Sequence, residues 1–289
     1  MKNYRIPEMT DRYASYDMIQ THTELPPLSD SRLQLLYAVL NRQQSLTKQS
    51  ELYSLVISLV QLGLDTHDMI DTDTGRRTEQ EMRSRQLKVL AGDYFSARFY
   101  HLLAQAGQID MITRISGAVC EVNRLKVSLY TRMRQLKVSA EEYFNDAVQL
   151  KSGLFHSFTG LLEGAVSRLW PELLSGVSRC EVVLEELGRC ANHERFEQSW
   201  AYWHVLQAGT DEERHALASS SPEPGFIAGL IDKYDIRGQL TAKLKQSAEA
   251  VKAAAAKLDS EHLKDELAGI LDAMLLKLSG AQPALHEMR

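Results

Sequence analysis

The residues best equipped for chemistry sit together in LGLDTHDMIDTDTGRR, Leu62 to Arg77. Asp65, His67, Asp68, Asp71 and Asp73 can each hold a proton or a cation, and Arg76 and Arg77 follow at once. On a helix, Asp68 and Asp71 stand three apart on one face, close enough to share a cation. Carboxylate oxygens suit Mg²⁺, which takes one or two of them and fills its shell with water and substrate phosphate. The arginines add planar donors for phosphate oxygens. The chemistry indicated is metal-assisted diphosphate binding; the plain alternative is an acidic helix end that is merely solvated.

What must position these groups is helical. Leu52, Leu55, Val56, Leu59, Val60 and Leu62 form an apolar stripe broader than a surface helix needs. The spacing predicts a buried helix from near Thr47 to a stop near Thr74–Gly75, with its carboxylates at the mouth of the core. Before it, residues 1–30, polar and with Pro7, Pro26 and Pro27, read as an N-terminal arm or a short helix with a loop, and Ser29 or Asp30 can cap the helix that carries Leu33, Leu36, Tyr37 and Leu40. Further helices are expected in EQEMRSRQLKVLAGDYFSARFYHLLAQAG, in IDMITRISGAVCEVNRLKVSLYTRM, and from a Ser139–Glu142 capping box. Pro171 is placed at another helix start. SSSPEPG at 219–225 breaks the pattern, and three more segments follow, with Ser260 as a cap and the Ala-rich run as a packed helix. Strand signals are almost absent. The expectation is an all-α, single-domain bundle of roughly ten helices over 1–289.

Composition narrows the function. A net charge of −5 gives no general attraction to nucleic acid or anionic lipid. Cys120, Cys180 and Cys190 lie far apart and form no C-x-x-C pair, which fits a reducing cytoplasm rather than a disulfide framework or zinc knuckle. No apolar signal segment opens the chain, and the longest apolar run is too short to span a bilayer, so stable membrane insertion is not expected.

HDMIDTDTGRR followed by VLAGDYFSARFY resembles the trans-prenyl diphosphate synthase pattern, in which a D-D-x-x-D helix end leads to an Arg pair and an LAGD helix. An ungapped fit puts His67, Asp68 and Asp71 on the three Asp positions and Arg76 and Arg77 on the Arg pair. EYFNDAVQLKSGLF resembles the segment bearing the family's Lys-Thr pair, with Lys151 and Ser152 in those places. The resemblance covers roughly 45–170. It implies an isoprenoid-synthase-like fold, a diphosphate site at His67, Asp68, Asp71, Arg76, Arg77 and Lys151, and a metal at Asp68 and Asp71.

Departures from the pattern carry as much information. His67 replaces the first Asp, the N-terminal Gly-Lys-x-x-Arg segment is missing, and the C-terminal half has no second D-D-x-x-D. Family catalysis ionises an allylic diphosphate between two facing metal walls. Losing one wall removes several kcal/mol of electrostatic stabilisation and orders of magnitude in rate. LVQLGLDTHDMID, RQLKVLAGDYFS and EVNRLKVSLY are similar to the small components of heterodimeric heptaprenyl (or hexaprenyl) diphosphate synthases. That resemblance implies a catalytic large subunit as partner, Mg²⁺ mainly on that partner, inactivity alone, a prenyl diphosphate tail as ligand, a homodimer as an option without the partner, and a place in menaquinone side-chain synthesis. Val56, Leu59 and Gly63 are candidate tunnel residues that would set product length; for Gly63 a close helix crossing is the equal alternative. Asp93, within LAGD, is expected to be structural, bonding a helix end or an Arg. Lys151 is a diphosphate contact or, by default, a solvated or salt-bridged lysine. Trp200 and Trp203 are read as packing residues. The rival readings are an HD-type phosphohydrolase, for which His67–Asp68 is the central dipeptide and His22 the upstream histidine available, and a non-enzymatic helical adaptor.

Overall fold

A computed structural model describes residues 4–70, 75, 78–218 and 223–280. Thirteen α-helices and two 3-10 segments account for the described elements, and no strand occurs among the described residues. The chain divides into two compact units, residues 1–118 with 157–163, and residues 119–156 with 164–289. No helix among the described residues is long and apolar enough to cross a membrane.

The first unit is built around α4, Ser50–Asp68, which buries residues on every side. The breadth of its apolar stripe is the cause, as expected. Less expected is a polar row along the same helix. Ser50, Ser54 and Ser58 are wholly buried and Gln61 nearly so, spaced at helical repeats that end on Asp65. Small hydroxyls let neighbours approach, and two of the three are satisfied locally: Ser50 Oγ donates to the Thr47 carbonyl, and Ser58 Oγ bonds the Leu55 carbonyl and sits 2.6 Å from Thr10 Oγ1. Thr10 belongs to α1, Ile6–Ala14. The expected arm is thus two helices, α1 and α2, Asp17–His22, whose Met9, Tyr13, Ala14 and Ile19 pack on a core of Leu55, Leu59, Leu62, Ala91 and Phe95. α3, Ser31–Arg42, has Asp30 as N-cap residue, but its carboxylate makes no cap bond; it accepts from Tyr4 and Gln34 instead. α4 starts three residues after Thr47, whose hydroxyl bonds the Gln43 carbonyl at 2.8 Å, and ends at Asp68, short of the expected stop.

α5, Glu79–Gln105, opens on a Thr78–Glu81 capping box. α6, Ile109–Arg134, fully buries Met111, Ile115, Val122 and Leu129, a narrow seam at near-heptad spacing. In the second unit, Ser139 and Glu142 form the expected capping box on α7, Ala140–Ser152. α7 then gives way to a 3-10 segment, Gly153–Leu161, and α8, Gly164–Ala191, runs straight through Pro171. Proline was expected to begin a helix; here Trp170, Leu173, Leu174 and Val177, all wholly buried, hold it inside one. Burying that stripe outweighs about 3 kcal/mol for an interior proline. The short helices α9, Trp200–Ala208, and α10, Asp211–Ala218, lead to α11, Pro224–Lys233. The central residues of the SSSPEPG break, 219–222, lie outside the described residues. α12, Ile236–Ala255, contains the Ala-rich run and lies tightly on α8: a Cβ on Gly176 would come within 2.3 Å of Val251. α13, Glu261–Gly280, begins at Ser260, which accepts from Leu263 N. The count exceeds ten because the arm is helical and α9 to α11 are short.

Candidate functional site

The C-terminal turns of α4 meet the middle of α5 through small residues. A Cβ on Gly63 would lie 3.0 Å from Ser96 Oγ and 3.1 Å from the Gly92 carbonyl. A Cβ on Gly92 would lie 2.6 Å from the His67 ring. Two glycines therefore let the helices close on each other, and the imidazole of His67 lies flat over the α5 backbone. Its Nε2 is 3.5 Å from Asp93 Oδ1. With 34% and 66% of the two side chains exposed, the pair contributes at most about 1 kcal/mol. Each residue of LAGD has a distinct place: Leu90 is exposed, Ala91 enters the core, Gly92 admits His67, and Asp93 faces the imidazole. Asp93 was expected to bond a helix end or an Arg; it faces His67 because Gly92 seats the ring beside it.

The remaining expected site residues distribute as follows. Asp68 is exposed at the last position of α4. Asp71, Arg76 and Arg77, with Asp73, lie outside the described residues, so the Asp68–Asp71 pairing does as well. Among the described residues no three His, Cys, Asp or Glu side chains gather where one cation would sit. His67 thus offers the crossing an imidazole rather than a hard carboxylate oxygen, and Asp68 is the described carboxylate of the expected pair. Lys151 is in the second unit and donates to Glu185 Oε1 at 2.6 Å, the salt-bridged alternative. Val56 and Leu59 are wholly buried, Leu59 within the α4–α5 core. A cleft of 540 Å³ between α1 and residues 25–28 reaches α4 at Leu62. His22 lines a separate 510 Å³ cleft with Glu79 and Arg83, to which neither His67 nor Asp68 contributes. The histidine required by the HD-type reading is thus not brought to His67.

Gly63 is the position where the crossing has measurable consequences. Gly63→Leu is expected to cost about 1–3 kcal/mol through overpacking against Ser96 and the Gly92 carbonyl. Thermal denaturation reads this as a midpoint several degrees lower. An unchanged midpoint with a shortened product in the assembled enzyme would assign Gly63 to a tunnel instead.

Two further features escaped the sequence reading. Arg32 is wholly buried on α3 and donates to Gln61 Oε1 at 3.4 Å. A lone arginine in the first turn of a helix reads as solvated; the available signal was Gln61, a long polar side chain inside an apolar stripe. The second unit holds a buried cluster around Glu186, wholly shielded from solvent. Glu186 accepts from Trp200 N at 2.6 Å and Arg189 Nη1 at 2.7 Å, and lies 3.1 Å from the Tyr143 hydroxyl. That hydroxyl accepts from Arg189 at 2.7 Å and stands 2.7 Å from the Gln198 carbonyl. Burial raises the Glu186 carboxyl above the usual carboxylate range, with Arg189 pulling the other way. Trp200 and Trp203 pack as expected, Trp200 stacked on His204 with centroids 4.8 Å apart.

The fold is that of the isoprenyl diphosphate synthases. Geranylgeranyl pyrophosphate synthase from Corynebacterium glutamicum superposes with a TM-score of 0.69 at 12% identity, over 96% of this chain and 91% of that one. Decaprenyl diphosphate synthase from Rhodobacter capsulatus gives 0.66 at 15% identity over 93% and 94%. Heptaprenyl diphosphate synthase from Staphylococcus aureus gives 0.66 at 11% identity over 94% and 98%. At these identities the likeness speaks for the fold alone. In sequence, heptaprenyl diphosphate synthase component 1 of Geobacillus stearothermophilus is 39% identical over 84 residues, 29% of this chain and 36% of that relative's length. The model of heptaprenyl diphosphate synthase (HEPPP synthase) subunit 1 matches residues 16–201, and with that span added to the synthase fold and the altered α4 end, the chain belongs to the heptaprenyl diphosphate synthase subunit 1 family.

Proposed function

We propose that this chain is the small, non-catalytic subunit of a two-component long-chain trans-polyprenyl diphosphate synthase, supporting a catalytic large subunit and its product length in menaquinone side-chain synthesis. The observation that carries the reading is the helix crossing at His67. An imidazole seated over Gly92 and facing Asp93 stands where the family pattern has a metal-binding carboxylate. A cationic ring there repels a metal, and a neutral imidazole is a poorer ligand for Mg²⁺ than the hard carboxylate oxygen it replaces. Ionisation of an allylic substrate depends on that electrostatic stabilisation. Mg²⁺ and the prenyl diphosphate are accordingly assigned to the catalytic partner, with Val56 and Leu59 as candidate wall for the growing tail. The same crystallised Corynebacterium glutamicum synthase has been obtained with calcium and isoprenyl diphosphate, so divalent cations occur in this fold.

Assembly is supported by the end of α6. Val127 and Tyr130, one turn apart, are 66% and 57% exposed. Leu136, 64% exposed, takes φ of 53° at the helix terminus, a left-handed conformation that glycine would adopt freely. A leucine there costs roughly 1 kcal/mol and gains no burial within the chain. Apolar side chains so maintained at one helix end suit a partner surface. The three cysteine thiols, none in a disulfide, support a cytoplasmic location for the proposed assembly.

Co-expression with a synthase subunit bearing both Asp-rich motifs tests the assignment. The expected result is co-elution at one-to-one stoichiometry, with this chain forming at most a homodimer when made alone. Separate elution at all concentrations would contradict it.

A further inference from the structure

We infer that Arg32 and Gln61 form a buried relay that positions the acidic end of α4 by acting on Asp65. Arg32 is wholly buried, and its Nη1 donates to Gln61 Oε1 at 3.4 Å; Gln61 Nε2 donates to Asp65 Oδ1 at 2.8 Å. The chemistry fixes the direction of both bonds. A guanidinium can only donate, and an ionised carboxylate can only accept. A side chain joining them must accept at one end and donate at the other, which an amide of glutamine length does. The same amide is 6% exposed, so its bonds are shielded from competing water. Asp65 lies two residues before His67 and three before Asp68. The relay therefore anchors the last turns of α4 to α3, while Gly63 and His67 fix the same turns against α5. Arg32 and Gln61 touch no reacting atom in this account; they are positioning residues for the α4 end, and their link to activity rests on the function proposed above.

Gln61→Glu separates positioning from folding. Glutamate preserves the acceptor for Arg32 but replaces the donation to Asp65 with repulsion between carboxylates. Amide exchange in the last turns of α4 is expected to rise about tenfold while the α8–α12 pair of the second unit keeps its protection. In the assembled synthase, the product-length distribution is expected to shift by at least one isoprene unit at unchanged affinity between components, because α4 carries the candidate wall for the tail. Wild-type exchange and wild-type product length in Gln61→Glu would overturn the relay, and so would a uniform loss of protection across all helices. If Gln61→Glu does not fold, Arg32→Lys, which keeps a buried cation but shortens its reach, is read by the same two measurements. Should the unaltered pair of subunits make no product, the functional assignment fails, while the exchange comparison still decides the relay.

Discussion

A chain carrying Val127→Glu and Tyr130→Glu is expected to fold as the unaltered protein does and to fail to join the catalytic subunit proposed as its partner. Both side chains are exposed, so replacing them leaves the stability of this chain within about 0.5 kcal/mol. At an interface the same changes bury two charges without partners. Central interface residues cost about 2 kcal/mol or more each, so together they weaken association roughly a thousandfold. Calorimetric titration of the two components measures the loss, with circular dichroism and a thermal melt as folding controls. Undiminished affinity would move the interface elsewhere on the chain.

The second large effect concerns the second unit. Glu186→Ala should lower stability by about 3–5 kcal/mol, the range for breaking one side of a buried ion pair. Arg189 loses its counter-charge, and Trp200 N and the Tyr143 hydroxyl lose an acceptor that solvent does not replace. The cluster joins α7, α8 and the start of α9, so the damage is cooperative across that unit. Chemical denaturation of the isolated chain reads it. Glu186→Gln is milder and carries a pH signature. Because burial raises the folded carboxyl, the folded state holds its proton at pH values where the unfolded chain has lost it. The stability so contributed is fully present below the unfolded value and is lost as pH rises through the folded one. Glutamine imitates the protonated form at every pH, so the variant should gain on the unaltered chain as pH rises from the carboxylate range toward neutrality. A gap constant with pH would show that Glu186 titrates alike in both states.

How far the sequence revealed this protein depends on whether a feature is local. Helix α4 was legible because six apolar residues repeat at one period, and the Ser139 and Ser260 caps because capping lies within four residues. α8 was cut at Pro171 because the force holding it, the burial of Trp170 and Val177, comes from elements distant in the chain. For residues 1–30 an arm and a short helix with a loop stayed open, because the apolar residues Ile6, Met9, Tyr13 and Ile19 are few and are fixed as two helices only against α4 and α5. At the site, the motif order was readable, and with it the replacement of Asp by His67. What His67 does was not: its seat exists only because Gly92, twenty-five positions on, lacks a Cβ. Arg32 and Glu186 were invisible for the same reason, since a buried charge is recognised by its surroundings and not by its neighbours in sequence.

The central claim is that this chain lends surface and shape to a catalytic partner and cannot ionise an allylic diphosphate itself. The most direct measurement is the rate of Mg²⁺-dependent condensation of an allylic diphosphate with isopentenyl diphosphate, for each purified subunit and for the pair. The account predicts long-chain polyprenyl diphosphate from the mixture, saturating at one equivalent of this chain, and none from this chain alone. Turnover by the homogeneous chain at the rate of the mixture would contradict it.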